Sequence, residues 1–159
     1  MIVTREQSYA PFLEIHLRYL ASIGAVQTTV LANPFPADTD DEAIRRALID
    51  TRVIRHLHYT AARPANDLYG YRVVVAFGTW PVGGDSYCRN TALAPRPVST
   101  ETTEMHAVLC LGPRPLSEAA ARTRRVSGPD DPRFARLASD LLTGLTLATM
   151  RGTDELDSP

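Results

Sequence analysis

Histidines and cysteines are the residues of this chain that are best suited to chemistry. The chain contains two cysteines, Cys88 and Cys110, and four histidines, His16, His56, His58 and His106. Side chains two positions apart in a strand share a face, which would place His56 beside His58. Imidazole and thiolate are the usual ligands of zinc, so His56, His58, His106 and Cys110 form a candidate metal set. Their spacing matches no established ligand pattern, and partly exposed strand histidines are the alternative interpretation.

The two cysteines are also candidates for a disulfide bond. Cys88 lies in a long loop just past the predicted central strand, residues 69–78, and Cys110 lies near the end of the next predicted strand. If the two strands are neighbours, the sulfur atoms come within bonding distance. A bridge that closes about 22 residues would stabilise the fold by ~3 kcal/mol in the chain-entropy model. Two unpaired thiols in a reducing cytosol are the alternative, and a redox role is disfavoured because the spacing is not Cys-x-x-Cys.

Motifs for covalent catalysis or phosphate binding are not found in the sequence. It contains no Gly-x-Ser-x-Gly nucleophile motif. Residues 83–86 (Gly-Gly-Asp-Ser) superficially match a phosphate-binding loop, but no Lys and no helical pattern follow them, so a turn is favoured. The acidic pairs at 40–41 and 130–131 precede predicted helices, where capping accounts for them. We therefore predict no catalytic residue and no cofactor.

Four side chains are candidates for a recognition surface: Trp80, Tyr87, Arg122 and Arg124. Aromatic anchors beside a loop are typical of binding surfaces, although Trp80 would equally suit a position that caps the core. On a strand, Arg122 and Arg124 share a face and could hold an anion. A solvated arginine face is the simpler interpretation.

Composition limits the class of protein. A chain of 159 residues normally forms one domain, and 44% hydrophobic with 22% charged residues is ordinary for a globular protein. A net charge of −1 gives no reason to expect nucleic acid or an anionic membrane as a partner. No apolar run approaches the length that spans a bilayer.

A strand over residues 69–78 is the predicted centre of the fold, because its valines and aromatic residues suit a buried, pleated surface. Helices are predicted over 9–23, from 38 to 51 and from Pro132 onward, and further strands over 26–32, 56–60 and 104–111. Residues 117–126 favour helix by propensity. They follow a strand across the tight turn at 112–115, however, and we predict the second strand of a hairpin there.

These elements predict an α+β domain over residues 1–150, with a mostly antiparallel sheet of about four to five strands and helices packed on one face. Residues 82–103 have no apolar period and form the least structured part. The polar tail over 151–159 is predicted to be frayed.

Several short blocks stand in an order that resembles a group of uncharacterised bacterial proteins of the secreted or lipoprotein type. The blocks are residues 30–35, residues 71–77, Cys88, residues 108–110, residues 114–117 and residues 128–134. The resemblance covers most of the chain from about Val26 onward, and none of the blocks is catalytic. The strand–turn–strand–helix ending is also similar in architecture to small α/β domains of envelope lipoproteins, such as the curli-secretion lipoprotein and the N-terminal domain of the Tol-system periplasmic protein.

The resemblance implies a periplasmic or envelope-associated protein, and it favours the Cys88–Cys110 bridge because disulfides persist there. It brings no known activity. The first residues lack an export signal, so the chain is either cytoplasmic or starts after a removed segment. We predict a non-catalytic envelope domain that binds an unknown protein partner or helps to assemble it. A small metal-binding protein or enzyme that uses His56, His58, His106 and Cys110 is the alternative.

Overall fold

The computed structural model describes residues 3–8, 13–48, 57–78, 84–89 and 101–157. The strands within them are β1 (Val3–Ser8), β2 (Ala25–Leu31), β3 (His58–Thr60), β4 (Tyr71–Phe77), β5 (Thr102–Leu111) and β6 (Arg114–Arg124). The helices are α1 (Leu13–Ile23), α2 (Asp41–Ala47), α3 (Gly84–Cys88) and α4 (Pro132–Asp157). No helix in this part of the chain is both long and apolar enough to cross a membrane.

The strands form one mixed sheet in the order β1-β6-β5-β4-β2-β3. Pairs β1–β6, β6–β5 and β5–β4 are antiparallel, whereas β4–β2 and β2–β3 are parallel. The α+β prediction is confirmed, but the prediction of a mostly antiparallel sheet of four to five strands is wrong. The stretch between β2 and β3 contains α2, and a crossover of this kind returns the chain parallel to the strand it left.

Strand β4 is the centre of the sheet, as predicted. Its residues are buried on both sides of the sheet, with only Arg72 partly exposed. Alternate residues face opposite ways, so Val73 and Val75 belong to one apolar cluster and Val74 and Ala76 to another. Burial on both faces explains why the strand is a continuous apolar run instead of an alternating one.

The two faces of the sheet are covered differently. The front face packs against α1, α2 and α4, through Leu20, Ile44 and Leu137 among others. The Phe77 ring on β4 stacks on Phe134 of α4, with centroids 6.4 Å apart. The back face is covered by the short helix α3, whose Tyr87 and Cys88 lie in the second cluster. Helices therefore occupy both faces, which corrects the prediction that they pack on one.

The hairpin of β5 and β6 confirms the strand predicted over 117–126. Gly112 has a φ of 56°, a left-handed value that Gly adopts without strain, so the chain reverses tightly at that point. Leu116, Ala119 and Ala121 then fall into the front-face core, and β1 pairs along the far edge of β6. Strand β6 pairs with a neighbour on each edge and buries one face, and these tertiary contacts outweigh the helix propensity of its alanines.

Local capping signals are confirmed at both predicted helix starts. Asp40 caps α2, accepting a hydrogen bond of 2.9 Å from the Ala43 N–H. Before α4, the Asp131 carboxylate accepts from the backbone N–H of Arg133 and of Ser127, and these bonds lower the pKa of Asp131.

Two elements are missing from the sequence-based prediction, and a third is longer than predicted. Strand β1 and helix α3 are absent from that prediction, and α3 lies in the stretch predicted to be least structured. Helix α4 continues through Asp157, which corrects the predicted frayed tail for residues 151–157. Once a helix is established, each further residue adds one hydrogen bond, so a polar continuation is inexpensive.

Candidate functional site

The predicted disulfide between Cys88 and Cys110 is present, and it joins the end of α3 to β5. The Cα atoms of the two residues are 5.5 Å apart, and both side chains are buried. Cys110 lies in the interior of the sheet because β4 and β6 pair on either side of β5. The bond therefore fixes α3 against the back face.

Arg72 is a second anchor for the same helix end. It lies directly opposite Cys110 in the β4–β5 register. Its Nη2 donates to the carbonyl oxygens of Tyr87 and Cys88, at 3.2 and 2.8 Å. These carbonyls end α3, where a cation is favourably placed. Burial lowers the pKa of the guanidinium without removing its charge at neutral pH. The disulfide bond from Cys110 and the hydrogen bond from Arg72 thus hold Cys88 from paired positions on β5 and β4.

The predicted metal residues are not brought together. His58 lies on the edge strand β3 and His106 on β5, with β4 and β2 between them, which amounts to about 14 Å across the sheet at the usual strand spacing. Cys110 has no thiol to offer because it is bridged. His106 Nε2 lies 3.1 Å from Glu104 Oε1, and His56 lies outside the described residues. No group of three or more His, Cys, Asp or Glu side chains suited to a metal occurs in the described segments.

The predicted recognition surface is only partly assembled. Trp80 lies outside the described residues. Tyr87 is 3% exposed, so it is part of the back-face core and not of an exposed surface, which corrects that prediction. Burial raises the pKa of its hydroxyl, with Glu118 and Glu104 adding to the effect, so the phenol stays protonated.

Arg122 and Arg124 do share an exposed face of β6, because they alternate with buried residues. Arg122 stands opposite Glu104 in the β5–β6 register, and Arg124 stands opposite Thr102. A carboxylate beside one of the two guanidinium groups offsets part of their field. Anion binding by this pair remains a prediction.

A surface that the sequence interpretation missed lies at the start of β4. Residues 67–70, which we name the Leu68 turn, are organised by the buried carboxylate of Asp67. Its Oδ1 accepts from the N–H groups of Tyr69 and Gly70, at 3.0 and 3.1 Å, and its Oδ2 accepts from Tyr71 at 2.9 Å. Gly70 has a φ of 81°, which other residues adopt only with strain. The turn is therefore rigidly positioned before the strand begins.

Aromatic rings tie this turn to helix α1. Tyr19 packs edge-on against Tyr69 with centroids 5.0 Å apart, and its hydroxyl accepts a hydrogen bond from the Leu68 N–H. Tyr71, buried at the start of β4, lies 5.4 Å from Tyr19. The Tyr71 hydroxyl also shares a hydrogen bond of 2.6 Å with Nδ1 of His16. Rings from α1 and from the turn thus form one continuous cluster.

The His16–Tyr71 pair joins two ionisable groups, and its environment favours the neutral form of each. Burial, then the charge of Arg114, lowers the pKa of His16. Burial, then neighbouring Tyr19 and Asp67, raises the pKa of Tyr71. Both shifts favour the neutral forms, and the hydrogen bond between the two side chains fastens α1 to β4.

The same end of the molecule exposes apolar side chains. Leu68 is 76% exposed, and Tyr69 and Ile15 are each 62% exposed. Ile15 stands one helical turn before Tyr19, on the same side of α1. The sequence signal for this surface was the pair Leu68 and Tyr69 between the turn residues Asp67 and Gly70. The signal is lost when the predicted strand is started at Tyr69, because the pair is then divided between a loop and a strand.

We expect Asp67→Ala to lower the free energy of unfolding by about 2–3 kcal/mol, because three backbone N–H groups lose a charged acceptor. Asp67→Asn keeps one acceptor oxygen and should lose about half as much. Urea denaturation of the two variants and the parent measures both effects. An unchanged midpoint for Asp67→Ala would mean that water replaces the carboxylate and that the turn does not depend on it.

The opposite end of the sheet carries an open cavity of about 600 Å³. We name it the Phe35 cavity; its lining residues are Asn33, Phe35, Pro36, Ala37, Thr39, Asp40, Asp41, Glu42 and Arg45. Phe35 is one of the lining residues, and its ring packs against Phe77 and Phe134, with centroids 5.7 and 5.9 Å away. Three carboxylates against a single arginine make the rim acidic. Arg45 is itself paired with Glu42 at 3.2 Å.

Comparison with known proteins informs the fold. No family model and no curated protein matches the chain. Among solved structures, it is similar to a point variant of PelC from Paraburkholderia phytofirmans, a dodecamer, with a TM-score of 0.52 and 14% identity over 92% of this chain and 99% of PelC. A second PelC dodecamer from the same organism aligns with a TM-score of 0.48, at 14% identity and the same coverage. The first of these likenesses shows that the chain shares the PelC fold.

Proposed function

We propose that this protein is a non-catalytic binding or assembly domain of the cell envelope. The observation that carries the proposal is the Cys88–Cys110 disulfide, buried under α3 and reinforced by Arg72. Disulfides form and persist outside the reducing cytosol, so a domain that depends on one is suited to an exported location. A periplasmic or envelope-associated site follows as the location we propose.

The arrangement of ionisable groups supports a role in binding over one in catalysis. Burial favours the neutral forms of His16 and Tyr71, and their hydrogen bond connects two structural elements. Cys110 is bridged, and Arg72 is committed to two carbonyl groups. These contacts hold α1 and α3 on the sheet, and a structural use of the groups supports the proposal.

Self-association is the form of assembly that we propose. PelC, whose fold this chain shares, is a dodecamer. We carry that property over as a proposal and not as a consequence of the shared fold, since a fold does not fix function. Exposed apolar residues at one end of the domain give the proposal a physical basis, because such patches mark interaction surfaces.

The location is tested by the thiol state of the protein in its native cells. We expect chains trapped with a maleimide before lysis to carry no label and to be two hydrogens lighter than the dithiol. Cys88→Ser is the control, since its single thiol at Cys110 should take one label after unfolding. Two labelled thiols in the parent chain would place it in a reducing compartment and overturn the envelope proposal.

A metal-binding protein or enzyme remains the alternative, and it would need ligands other than the predicted set. Cys110 is part of the disulfide bond, and strands β2 and β4 separate His58 on β3 from His106 on β5. Metal analysis of the purified oxidised protein distinguishes the two functions. A stoichiometric transition metal would contradict the non-catalytic assignment, and we expect none to copurify.

A further inference from the structure

The Leu68 turn and the Phe35 cavity lie at opposite ends of the same sheet. The turn comes immediately before the first residue of β4, and Phe35 packs on Phe77, the last. Seven strand residues separate the two surfaces by about 20 Å. The two therefore cannot meet within one chain, but they can meet between two chains arranged head to tail.

The two surfaces are compatible in size. Leu68 and Tyr69 project from the protein on a turn that Asp67 and Gly70 hold in one conformation. The Phe35 cavity is open, and its lining, although more polar than apolar, includes Phe35, Pro36 and Ala37. Its volume of about 600 Å³ lies within the range of ligand-sized pockets, so it has room for the side chains of the turn. A turn that is already rigid loses little conformational entropy when it binds.

The two surfaces are also complementary in charge. Arg114, exposed at the start of β6, is close enough to Tyr71 and His16 to shift the pKa of both. Arg63, half exposed, lies against Gly70 of the turn, although the Asp67 carboxylate, 3.9 Å from its Nε, offsets part of its charge. At the other end, Asp40, Asp41 and Glu42 surround the cavity. Complementary potentials of this kind orient an encounter and fix its register.

We propose that the Leu68 turn of one copy of this chain occupies the Phe35 cavity of a second copy, so that copies associate head to tail. This inference rests on the proposed function, of which it names the partner and the contact. Because the two surfaces differ, the interface is heterologous, and each bound pair leaves one turn and one cavity free. Association of this type continues until a ring closes.

The test uses two exposed positions, one on each surface. Leu68→Asp places a carboxylate on the turn, where it would meet the acidic rim of the cavity. Ala37→Arg puts a bulky side chain into the cavity. Ala135→Arg, at an exposed position of α4 outside both surfaces, is the matched control. Unchanged melting temperatures for all three would show that each variant is folded.

Sedimentation velocity of the oxidised protein at about 1–100 µM provides the measurement. We expect the parent and Ala135→Arg to associate beyond the monomer, and Leu68→Asp and Ala37→Arg to do so at least tenfold more weakly. An equimolar mixture of these two variants should form a 1:1 dimer and nothing larger, because one contributes an intact cavity and the other an intact turn.

The remaining outcomes separate this contact from the proposed function. Association of either variant at the strength of the parent, or a mixture that fails to pair, would overturn the head-to-tail contact and leave self-association standing. A parent chain that stays monomeric across the whole concentration range would overturn both the contact and self-association. The location in the envelope is decided independently, by the thiol state of the protein in its native cells.

Discussion

Val74→Asp is expected to unfold the domain or to reduce its stability by more than about 4 kcal/mol. Val74 is 1% exposed and stands opposite Val108 in the β4–β5 register, beneath α3. A carboxylate there loses its hydration, and Arg72, two residues earlier on the same face of β4, already donates from Nη2 to two carbonyl groups. The loss is comparable to the whole stability of an ordinary domain.

A substitution at the neighbouring residue, Val75, tests the opposite face of the same strand. Val75 is fully buried on the front face, among apolar side chains, so Val75→Asp should be at least as damaging as Val74→Asp. His58→Asp, on the exposed edge strand β3, is the matched control and should change the stability by less than ~1 kcal/mol. Circular dichroism and thermal melting distinguish these cases. A folded Val74→Asp protein with the parent melting temperature would show that β4 is not the centre of the sheet.

Removal of the disulfide is expected to lower the free energy of unfolding by ~3 kcal/mol without unfolding the sheet. In a Cys88→Ala/Cys110→Ala chain, α3 keeps Arg72 and the buried Tyr87 as anchors to the sheet face it covers. The front-face core does not include either cysteine, so β4, β5 and β6 keep most of their buried contacts. Hydrogen exchange should therefore become faster at residues 84–89 and remain slow in β4.

Arg72→Met tests whether the two anchors cooperate. While the disulfide is intact, loss of the guanidinium should have a modest effect, because the bond still holds Cys88 in place. In the chain without cysteines, the same substitution should cost more, so the two losses together exceed their sum. Denaturation of the four proteins of this cycle measures the coupling. Strict additivity would mean that Arg72 and the disulfide stabilise separate features.

Much of the local structure follows from the sequence. The alternating and continuous apolar patterns predict β2, β4 and β5 within a few residues, and the Asp40 cap marks the start of α2. The tight turn before β6 predicts a strand where propensity favours helix, and the Cys88–Cys110 bond follows from the adjacency of β4 and β5. Each of these features depends on residues close together in the chain, or on one pair of strands linked by a simple connection.

Other features were decided only by the tertiary structure. The parallel pairing of β2 with β3 and β4 depends on how α2 crosses the sheet, and β1 is a strand because β6 offers a free edge. Whether an aromatic side chain is exposed depends on what packs against it: Tyr87 on α3 is buried against the back face of the sheet, and Tyr69 projects from a turn that Asp67 holds. Strand order and exposure are non-local, because they are set by contacts between segments far apart in the chain, which no local pattern records.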